Sequence, residues 1–172
     1  MKKHIHIVTG GQRSGKSSYA EKLALELSPS PIYIATSRIW DDEHRKRIEK
    51  HKENRRNQAW INKEEEKFLS KVDVNNQVVL IDCVTLWATN FFYDLDSNVD
   101  ESLKALKEEF KLFTNQNAHF IFVTNEIGMG EMSMNAVQRK FADLQGWFNQ
   151  HIANEADNVT FMVSGIPLTI KE

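Results

Sequence analysis

Cysteine is nearly absent from this chain, in which Cys83 is the only one among 172 residues. A single thiol cannot form a disulfide within the chain, and this favours a reducing compartment such as the cytoplasm. No apolar run approaches the roughly 18 residues of a membrane span, and no signal-peptide core precedes the first strand-like run. The net charge of −2 lacks the basic excess that is typical of nucleic-acid-binding proteins.

The chain also lacks internal repeats and low-complexity segments, and its length suits one domain, residues 1–172. Short apolar runs alternate with helix-like segments, which predicts a mostly parallel sheet covered by helices on both faces. The predicted strands are 4–8, 32–35, 78–82, 119–123 and 159–163, and we expect the last of these to be the final strand. Residues 58–74, around Trp60, are polar and poorly periodic and predict a helix or a surface loop.

Residues 10–17 read G-G-Q-R-S-G-K-S and match the phosphate-binding pattern G-x-x-x-x-G-K-S. Backbone N–H groups of such a loop cradle phosphates, Lys16 reaches the β- and γ-phosphates, and the Ser17 hydroxyl ligates Mg²⁺. A strand-like run before the motif and a helical stripe after it give the required context, so the sequence predicts a P-loop NTPase-like, RecA-like three-layer α/β sandwich. The predicted phosphate-binding residues are Gly10, Gly11, Gln12, Arg13, Ser14, Gly15, Lys16 and Ser17.

Two acidic residues follow predicted strands, at the edge of the sheet where ligands of parallel sheets bind. Asp82 ends the run V-V-L-I-D, the form of the second acid of a P-loop site, and is predicted to hold Mg²⁺ directly or through water. Glu126 has two interpretations. It acts as a base or orients a substrate, or it caps the glycine-rich turn that follows.

The segment 38–56 is densely charged and is predicted to be helical from about residue 41. Three interpretations remain open for it: a solvated basic helix, a lid that closes Arg and Lys over phosphates, or a helix that presents His51 as a nucleophile toward phosphorus. No N-K-x-D element occurs, which argues against a regulatory GTPase that reads guanine in that way.

Several further segments stand in an order that is specific when taken together. They are Y-I-A-T-S (33–37), D-D-E (41–43), R-I-x-x-H-K-x-x-R (47–55), Trp60 with Glu64, T-L-W-A-T-N (85–90), T-N-E-I-G-M-G (124–130) and V-S-G-I (163–166). With the P-loop and Asp82, these segments resemble the bifunctional adenosylcobinamide kinase / adenosylcobinamide-phosphate guanylyltransferase family of cobalamin biosynthesis. The resemblance covers nearly the whole chain.

The resemblance implies an enzyme with two steps. ATP or GTP phosphorylates the aminopropanol hydroxyl of adenosylcobinamide, and GMP from GTP is then transferred to that phosphate with release of pyrophosphate. The second step passes through a GMP–histidine intermediate, for which His51 stands at the matching position. The resemblance further implies a homotrimer, and GTP contacts at Ala35, Thr36, Ser37, Lys52, Glu53, Asn54, Arg55, Glu64 and Asp82.

This chain departs from many members of that family at three positions. Lys50 stands in place of a second histidine, Arg56 in place of proline, and Asp82 in place of glutamate. Two other functions remain as alternatives, a small-molecule P-loop kinase that transfers only the γ-phosphate and a nucleotide-binding regulatory module. The sequence leaves open the nucleotide preference of the kinase step and the residues that hold the corrinoid, since it marks none of His4, His6, His44, His119 and His151 as a cobalt ligand.

Overall fold

The computed structural model describes residues 1–38, 59–130 and 132–172. Its strands are β1 (His4–Gly10), β2 (Ile32–Ala35), β3 (Ile61–Glu64), β4 (Val78–Asp82), β5 (His119–Val123), β6 (Asn158–Val163) and β7 (Ile166–Lys171). Its helices are α1 (Lys16–Leu27), α2 (Val84–Asp94), α3 (Val99–Phe113) and α4 (Ala136–Glu155), with a short 3-10 helix at Leu69–Lys71. None of these helices combines the length and the apolar character needed to cross a membrane.

The seven strands form one sheet in the order β3-β2-β4-β5-β1-β6-β7. Every neighbouring pair is parallel except β6 and β7. The strand that precedes the P-loop, β1, is therefore separated by one strand, β5, from the strand that ends in Asp82. The predicted P-loop α/β arrangement is confirmed.

The central strands are apolar on both faces because helices cover both. Alternate residues such as Ile5, Ile7 and Phe122 belong to the core that also contains residues of α2, α3 and α4. Their neighbours, such as Val8 and Ile121, belong to a second core that contains residues of α1. Burial on both faces explains why these strands read as continuous apolar runs rather than as an alternation.

Two strands were not predicted from the sequence. The prediction of a helix or loop over residues 58–74 is wrong for Ile61–Glu64, which form the parallel edge strand β3. All four residues of β3 are exposed, so the strand gives no hydrophobic alternation and forms through backbone pairing with β2. Trp60, just before it, is buried and packs edge-to-face on Tyr33 with 5.8 Å between the ring centroids.

The expectation that 159–163 is the final strand is also wrong, because β7 follows β6 in an antiparallel hairpin. The two turn residues, Ser164 and Gly165, both have positive φ, 51° and 82°. That pair of conformations matches the tight type I′ turn favoured in two-residue hairpins. The predicted helix from about residue 41 lies outside the described residues.

Candidate nucleotide-binding site

The P-loop joins β1 to α1 and adopts a backbone that glycine makes accessible. Gly10 and Gly15 have φ of 151° and 93°. A Cβ on Gly10 would lie 2.6 Å from the carbonyl oxygen of Met162, so β6 passes too close for any side chain there. The glycines that the motif prescribes are therefore required by the close packing of the loop on its neighbours.

The β6–β7 turn braces the loop from outside. Gly165 N–H donates to the carbonyl oxygen of Ser14 at 2.9 Å, and a Cβ on Gly15 would approach the Cα of Gly165 to 3.2 Å. The V-S-G-I segment therefore acts as a support for the phosphate loop. This support gives a physical reason for its place among the segments that carry the resemblance.

Helix α1 begins with no side-chain cap on its first N–H groups and with no acidic residue in its first turn. An uncapped helix N-terminus presents backbone donors and the positive end of the helix dipole. Because α1 begins at Lys16, within the phosphate-binding motif, its first N–H groups lie next to those of the loop. The arrangement is suited to binding phosphate groups.

Lys16 places its ammonium group over the loop. Nζ donates to the carbonyl oxygen of Gly11 at 2.5 Å and lies 3.5 Å from Oγ of Ser14. Burial lowers the pKa of Lys16, and the nearby Cys83 and Asp82 act in the opposite direction. The structure therefore brings the predicted phosphate ligand within electrostatic range of the predicted metal ligand.

Asp82 is held by Tyr33, whose hydroxyl donates to Oδ2 at 2.9 Å. Tyr33 lies on β2 and is 5% exposed, so its ring cannot turn away without leaving the core. The next residue, Cys83, is buried, and burial raises the pKa of its thiol to about 12. The only cysteine is therefore a protonated core residue.

Glu64, Ala35 and Asp82 are aligned in a row across three neighbouring strands. Ala35 is the register partner of Glu64 on one side and of Asp82 on the other. All three thus lie at the carboxyl edge of the sheet, which was predicted for Asp82 but not for Glu64. At about 4.8 Å per strand, Glu64 lies roughly 19 Å along this edge from β1. A nucleotide whose phosphates lie in the P-loop could therefore reach Glu64 only with the end of the molecule that is farthest from its phosphates.

Thr36 connects neighbouring parts of the site through its hydrogen bonds. Its side chain is fully buried, and its hydroxyl donates to the carbonyl oxygen of Cys83 at 2.8 Å while accepting from the Cys83 N–H at 3.1 Å. Its own carbonyl oxygen accepts from Asn90 at 2.7 Å. Thr36 therefore joins the ends of β2 and β4, and Ser37 follows with its hydroxyl donating to the carbonyl oxygen of Arg38 at 3.1 Å.

Glu126 lies beside the P-loop. Its N–H donates to the carbonyl oxygen of Gly10 at 3.1 Å, and its Oε1 accepts from Thr9 Oγ1 at 2.9 Å and from Asn149 Nδ2 at 3.1 Å. These bonds fix the carboxylate next to the strand that leads into the loop. Both interpretations of Glu126 remain open, because these contacts fix its position and do not assign its role.

The residues that hold Glu126 were not selected in the sequence analysis. Asn149 also accepts at Oδ1 from Thr124 and from Gln145, at 2.7 and 2.8 Å. Gln145 and Asn149 are buried polar residues one helical turn apart on α4. Their position beside Leu144 and Phe148, on the apolar face of that helix, is the signal that could have revealed them.

Arg38 is the last residue described before position 59, and it is tied to the body of the protein. Its guanidinium bonds both carboxylate oxygens of Asp94, at 2.6 and 2.8 Å, and Oε2 of Glu66 at 2.6 Å. Lys67 also contacts Asp94, at 2.8 Å. These hydrogen bonds to Asp94 and Glu66 raise the pKa of Arg38, and those from Arg38 and Lys67 lower the pKa of Asp94.

The predicted nucleophile His51, with Lys52, Glu53, Asn54 and Arg55, lies outside the described residues. His4, His6 and His119 are described, and they lie at the opposite, amino edge of the sheet, where β1 and β5 begin. Within the described ranges, no group of three or more His, Cys, Asp or Glu side chains is arranged to hold a metal ion. The imidazoles at that edge are therefore separate from the nucleotide site.

Comparisons with known proteins identify the family of this chain. Residues 6–170 match the family described as "Cobinamide kinase / cobinamide phosphate guanyltransferase". The chain is 38% identical to the bifunctional adenosylcobalamin biosynthesis protein CobU of Escherichia coli, covering 96% of this chain and 98% of that protein. It is 36% identical to CobP of Pseudomonas aeruginosa, covering 96% of each chain, and 36% identical to CobU of Salmonella typhimurium, covering 96% and 98%.

Two solved structures are similar in outline. They are an ATPase domain, with a TM-score of 0.48 and 13% identity over 92% of this chain and 69% of that one, and the RadB recombinase, with a TM-score of 0.46 and 16% identity over 93% and 74%. The sequence matches cover nearly the full length of this chain and of the proteins it matches. The chain belongs to the cobinamide kinase / cobinamide phosphate guanyltransferase family.

Proposed function

We propose that this enzyme phosphorylates adenosylcobinamide with ATP or GTP and then transfers GMP from GTP to the phosphate, giving adenosyl-GDP-cobinamide and pyrophosphate. The observation that supports both steps is the phosphate loop with Lys16 at its centre, because each step breaks a bond within a nucleoside triphosphate. Such transfers depend mainly on positioning and on neutralising charge. The family match supplies the identity of the acceptor.

The nucleotide is proposed to lie along the carboxyl edge of the sheet. Residues 10–17 bind its phosphates, and Glu64 lies toward the remote end of the row that it forms with Ala35 and Asp82. Thr36 and Ser37 contribute by shaping the end of β2. The residues that follow the proposed nucleophile, 52–55, are proposed to contact the same GTP.

Mg²⁺ is proposed to be held by Ser17 and Asp82 together with the phosphates of the nucleotide. A hydroxyl and a carboxylate are the oxygen ligands that Mg²⁺ prefers, and it commonly binds through one or two protein ligands and substrate phosphates. When bound, the ion neutralises charge on the phosphates, and the Tyr33 hydroxyl keeps Asp82 oriented.

In the second step His51 is proposed to attack the α-phosphorus of GTP through a neutral ring nitrogen. A P–N bond forms, the α–β P–O bond breaks, and pyrophosphate leaves beside Lys16. An oxygen of the cobinamide phosphate then attacks the same phosphorus, and the P–N bond breaks. Only neutral imidazole has the required lone pair, so this step should slow as pH falls below about 6.5, the usual histidine pKa.

The test is mass spectrometry of protein incubated with GTP and Mg²⁺ in the absence of acceptor. We expect one added GMP on His51, labile in acid and stable in base as phosphoramidates are. His51→Ala should abolish the adduct, and His44→Ala, a histidine in the same segment, is the matched control. Wild-type protein that binds GTP and consumes it with cobinamide but never retains GMP would be a plain γ-phosphoryl kinase.

A homotrimer is proposed on the basis of an exposed apolar surface on β7. Ile166, Leu168 and Ile170 alternate along one face of this edge strand and are 68%, 55% and 60% exposed. An apolar edge strand left in water invites association, so its burial between copies is favourable. Light scattering should report a trimer for the wild type and smaller species for Leu168→Lys, with Thr169→Lys on the opposite face as control.

The enzyme is proposed to work in the cytoplasm. Its only thiol, that of Cys83, is buried and has no second cysteine in the chain to pair with, which suits a reducing compartment.

A further inference from the structure

A groove of about 800 Å³ lies beyond the carboxyl end of β5, between α2 and the first turns of α4. Thr89 and Tyr93 line it from α2, Ile127 and Gly128 from the segment after β5, and Val137 and Phe141 from α4. Its volume is toward the upper end of the range of roughly 300–1,000 Å³ that is typical of small-molecule sites. None of these residues belongs to the nucleotide site described above.

The groove begins next to the phosphate loop. Ile127 and Gly128, on its wall, directly follow Glu126, whose N–H donates to the carbonyl oxygen of Gly10 at 3.1 Å. The carboxylate of Glu126 is held there by Thr9 at 2.9 Å. A molecule lying in the groove therefore has one end close to the loop that binds the triphosphate.

The surface around the groove is apolar and adaptable. Met129, Met132 and Met134 are 70%, 82% and 97% exposed, and Ile127 and Val137 are each 40% exposed. Methionine side chains fit themselves to large ligands of irregular shape, and a cluster of exposed apolar side chains is typical of a binding surface. This surface suits a broad hydrophobic ring better than a compact polar metabolite.

Two glycines leave the wall of the groove flat, although the packing of the fold does not require glycine at either position. A Cβ on Gly128 or on Gly130 would meet nothing within 4 Å, in contrast to Gly10 in the phosphate loop. Arg139 holds the rim in place by donating from Nη1 to the carbonyl oxygens of Ser133 and Met134, each at 2.9 Å. The open space is thus bounded by a fixed rim.

Hydrogen-bonding side chains alternate with the apolar ones along the groove and suit amides; Tyr93, Ser133 and Arg139 are among them. Thr89, Gln138 and Asp143 line it together with the apolar residues. No histidine or cysteine is among the described residues that line it, so a bound corrinoid would be held by shape and hydrogen bonds and not through its cobalt. A planar macrocycle with peripheral amide side chains has the matching chemistry.

We propose that this groove holds the corrinoid acceptor, with its alcohol-bearing side chain directed toward Glu126 and the phosphate loop. The proposal rests on the proposed function, because it assumes that cobinamide is the acceptor. It assigns the acceptor to a surface of the same chain that binds the nucleotide phosphates.

The test uses two substitutions that fill or charge the groove. Gly128→Leu adds a side chain to open space, and Val137→Glu puts a carboxylate on the apolar wall in the first turn of α4, where the helix dipole favours it. The matched control is Gly146→Leu, since a Cβ there also meets nothing within 4 Å and α4 has already left the groove. Equilibrium dialysis with adenosylcobinamide, KM values for both substrates, and self-guanylylation with GTP alone are measured for each protein.

We expect both groove variants to raise the dissociation constant and KM for adenosylcobinamide about tenfold or more, the factor that corresponds to a modest steric or electrostatic conflict. The KM for nucleotide and the extent of self-guanylylation should stay within about twofold of wild type, as should every value for Gly146→Leu. If both variants fold and their dissociation constants for adenosylcobinamide are unchanged, the acceptor binds elsewhere. The same conclusion follows if a variant changes its oligomeric state while its corrinoid affinity stays the same. If wild-type protein neither binds nor phosphorylates cobinamide, the proposed function itself fails, which is a distinguishable result.

Discussion

The two edges of the central sheet both collect polar and titratable side chains, yet they differ in what those side chains can do. At the carboxyl edge, Lys16, Asp82 and Glu126 lie around the phosphate loop. At the amino edge, the rings of His4 and His119 pack at a tilt of 47° with 4.4 Å between their centroids, and His6 contacts Thr160 at 2.8 Å. A cluster of ionisable residues is therefore not by itself a functional site.

The two edges differ in whether their ionisable side chains are charged or neutral. At the carboxyl edge, charged groups of opposite sign stand within range of one another, together with a helix N-terminus that attracts anions. At the amino edge, burial and the neighbouring His4 lower the pKa of His6 and of His119 to about 4, so their neutral forms are favoured. The first edge is built to bind an ionic ligand, and the second is built to pack.

The comparison predicts the largest effect at Lys16. Lys16→Ala removes the cation that lies over the phosphate loop. The rates of both reactions should fall by about 10²–10³-fold, the usual effect on an enzyme of losing one donor that stabilises the transition state. Lys22→Ala, on the exposed side of α1, is the control and should behave as wild type. Steady-state rates of both half-reactions measure the effect, and retention of either one would separate that reaction from the P-loop.

Glu126→Gln sharpens the comparison by choosing between the two interpretations of this residue. Glutamine can still accept the hydrogen bonds of Thr9 and Asn149, but it cannot take the proton of the acceptor hydroxyl as phosphate is transferred. If Glu126 is that base, phosphorylation of cobinamide should slow by about 10²-fold or more. GMP transfer to preformed cobinamide phosphate should change little, because that acceptor has already lost its proton.

The control for that variant is Glu108→Gln on the exposed side of α3. Equal rates for Glu126→Gln and wild type in the kinase assay would leave Glu126 with the role of holding the turn. Equal losses in both half-reactions would indicate a defect in nucleotide binding.

The amino edge is predicted to affect stability rather than catalysis. Since the pKa of His6 and of His119 is about 4 in the folded protein and about 6.5 when unfolded, the unfolded chain binds more protons between these values. The free energy of unfolding should therefore have its largest value above about pH 6.5 and decrease as the pH drops toward 4. After allowance for partial exposure we expect a loss of about 2 kcal/mol.

Urea unfolding followed at several pH values measures this loss. His119→Gln should show a shallower decline than the wild type, because one of the titrating groups is gone. Lys104→Gln, a substitution at an exposed position of α3, should keep the wild-type slope. A wild-type stability that is flat from pH 7 to pH 4 would contradict the contrast between the two edges.

The smallest effect is expected for Tyr33→Phe. This change removes the hydroxyl that donates to Asp82 and leaves the ring packed against Trp60. Loss of one hydrogen bond to a charged group costs about 1.5–3 kcal/mol at most. We expect a several-fold higher Mg²⁺ concentration for half-maximal activity, with little change in the KM for cobinamide at saturating Mg²⁺.

The local sequence predicted the parts of the protein in which chemistry and periodicity agree. The phosphate loop, the buried parallel strands and the amphipathic helices each have a pattern that few other structures share, and the structure contains them. The strand β3 and the hairpin strand β7 were missed because exposed edge strands form through backbone pairing with a neighbour, and such pairing leaves no periodic signal in side chains.

By itself, the sequence determined the phosphate-loop motif, because Gly10, Gly15, Lys16 and Ser17 stand at the fixed spacing from which binding of a nucleoside triphosphate is predicted. Only the tertiary structure decided that Asn149 and Thr9 hold Glu126 beside the loop, that Thr36 ties two strands together, and that a groove opens next to them. These contacts join residues as far apart as 117 positions along the chain. No local pattern encodes a distance of that kind, since it depends on the order and register in which the strands pair.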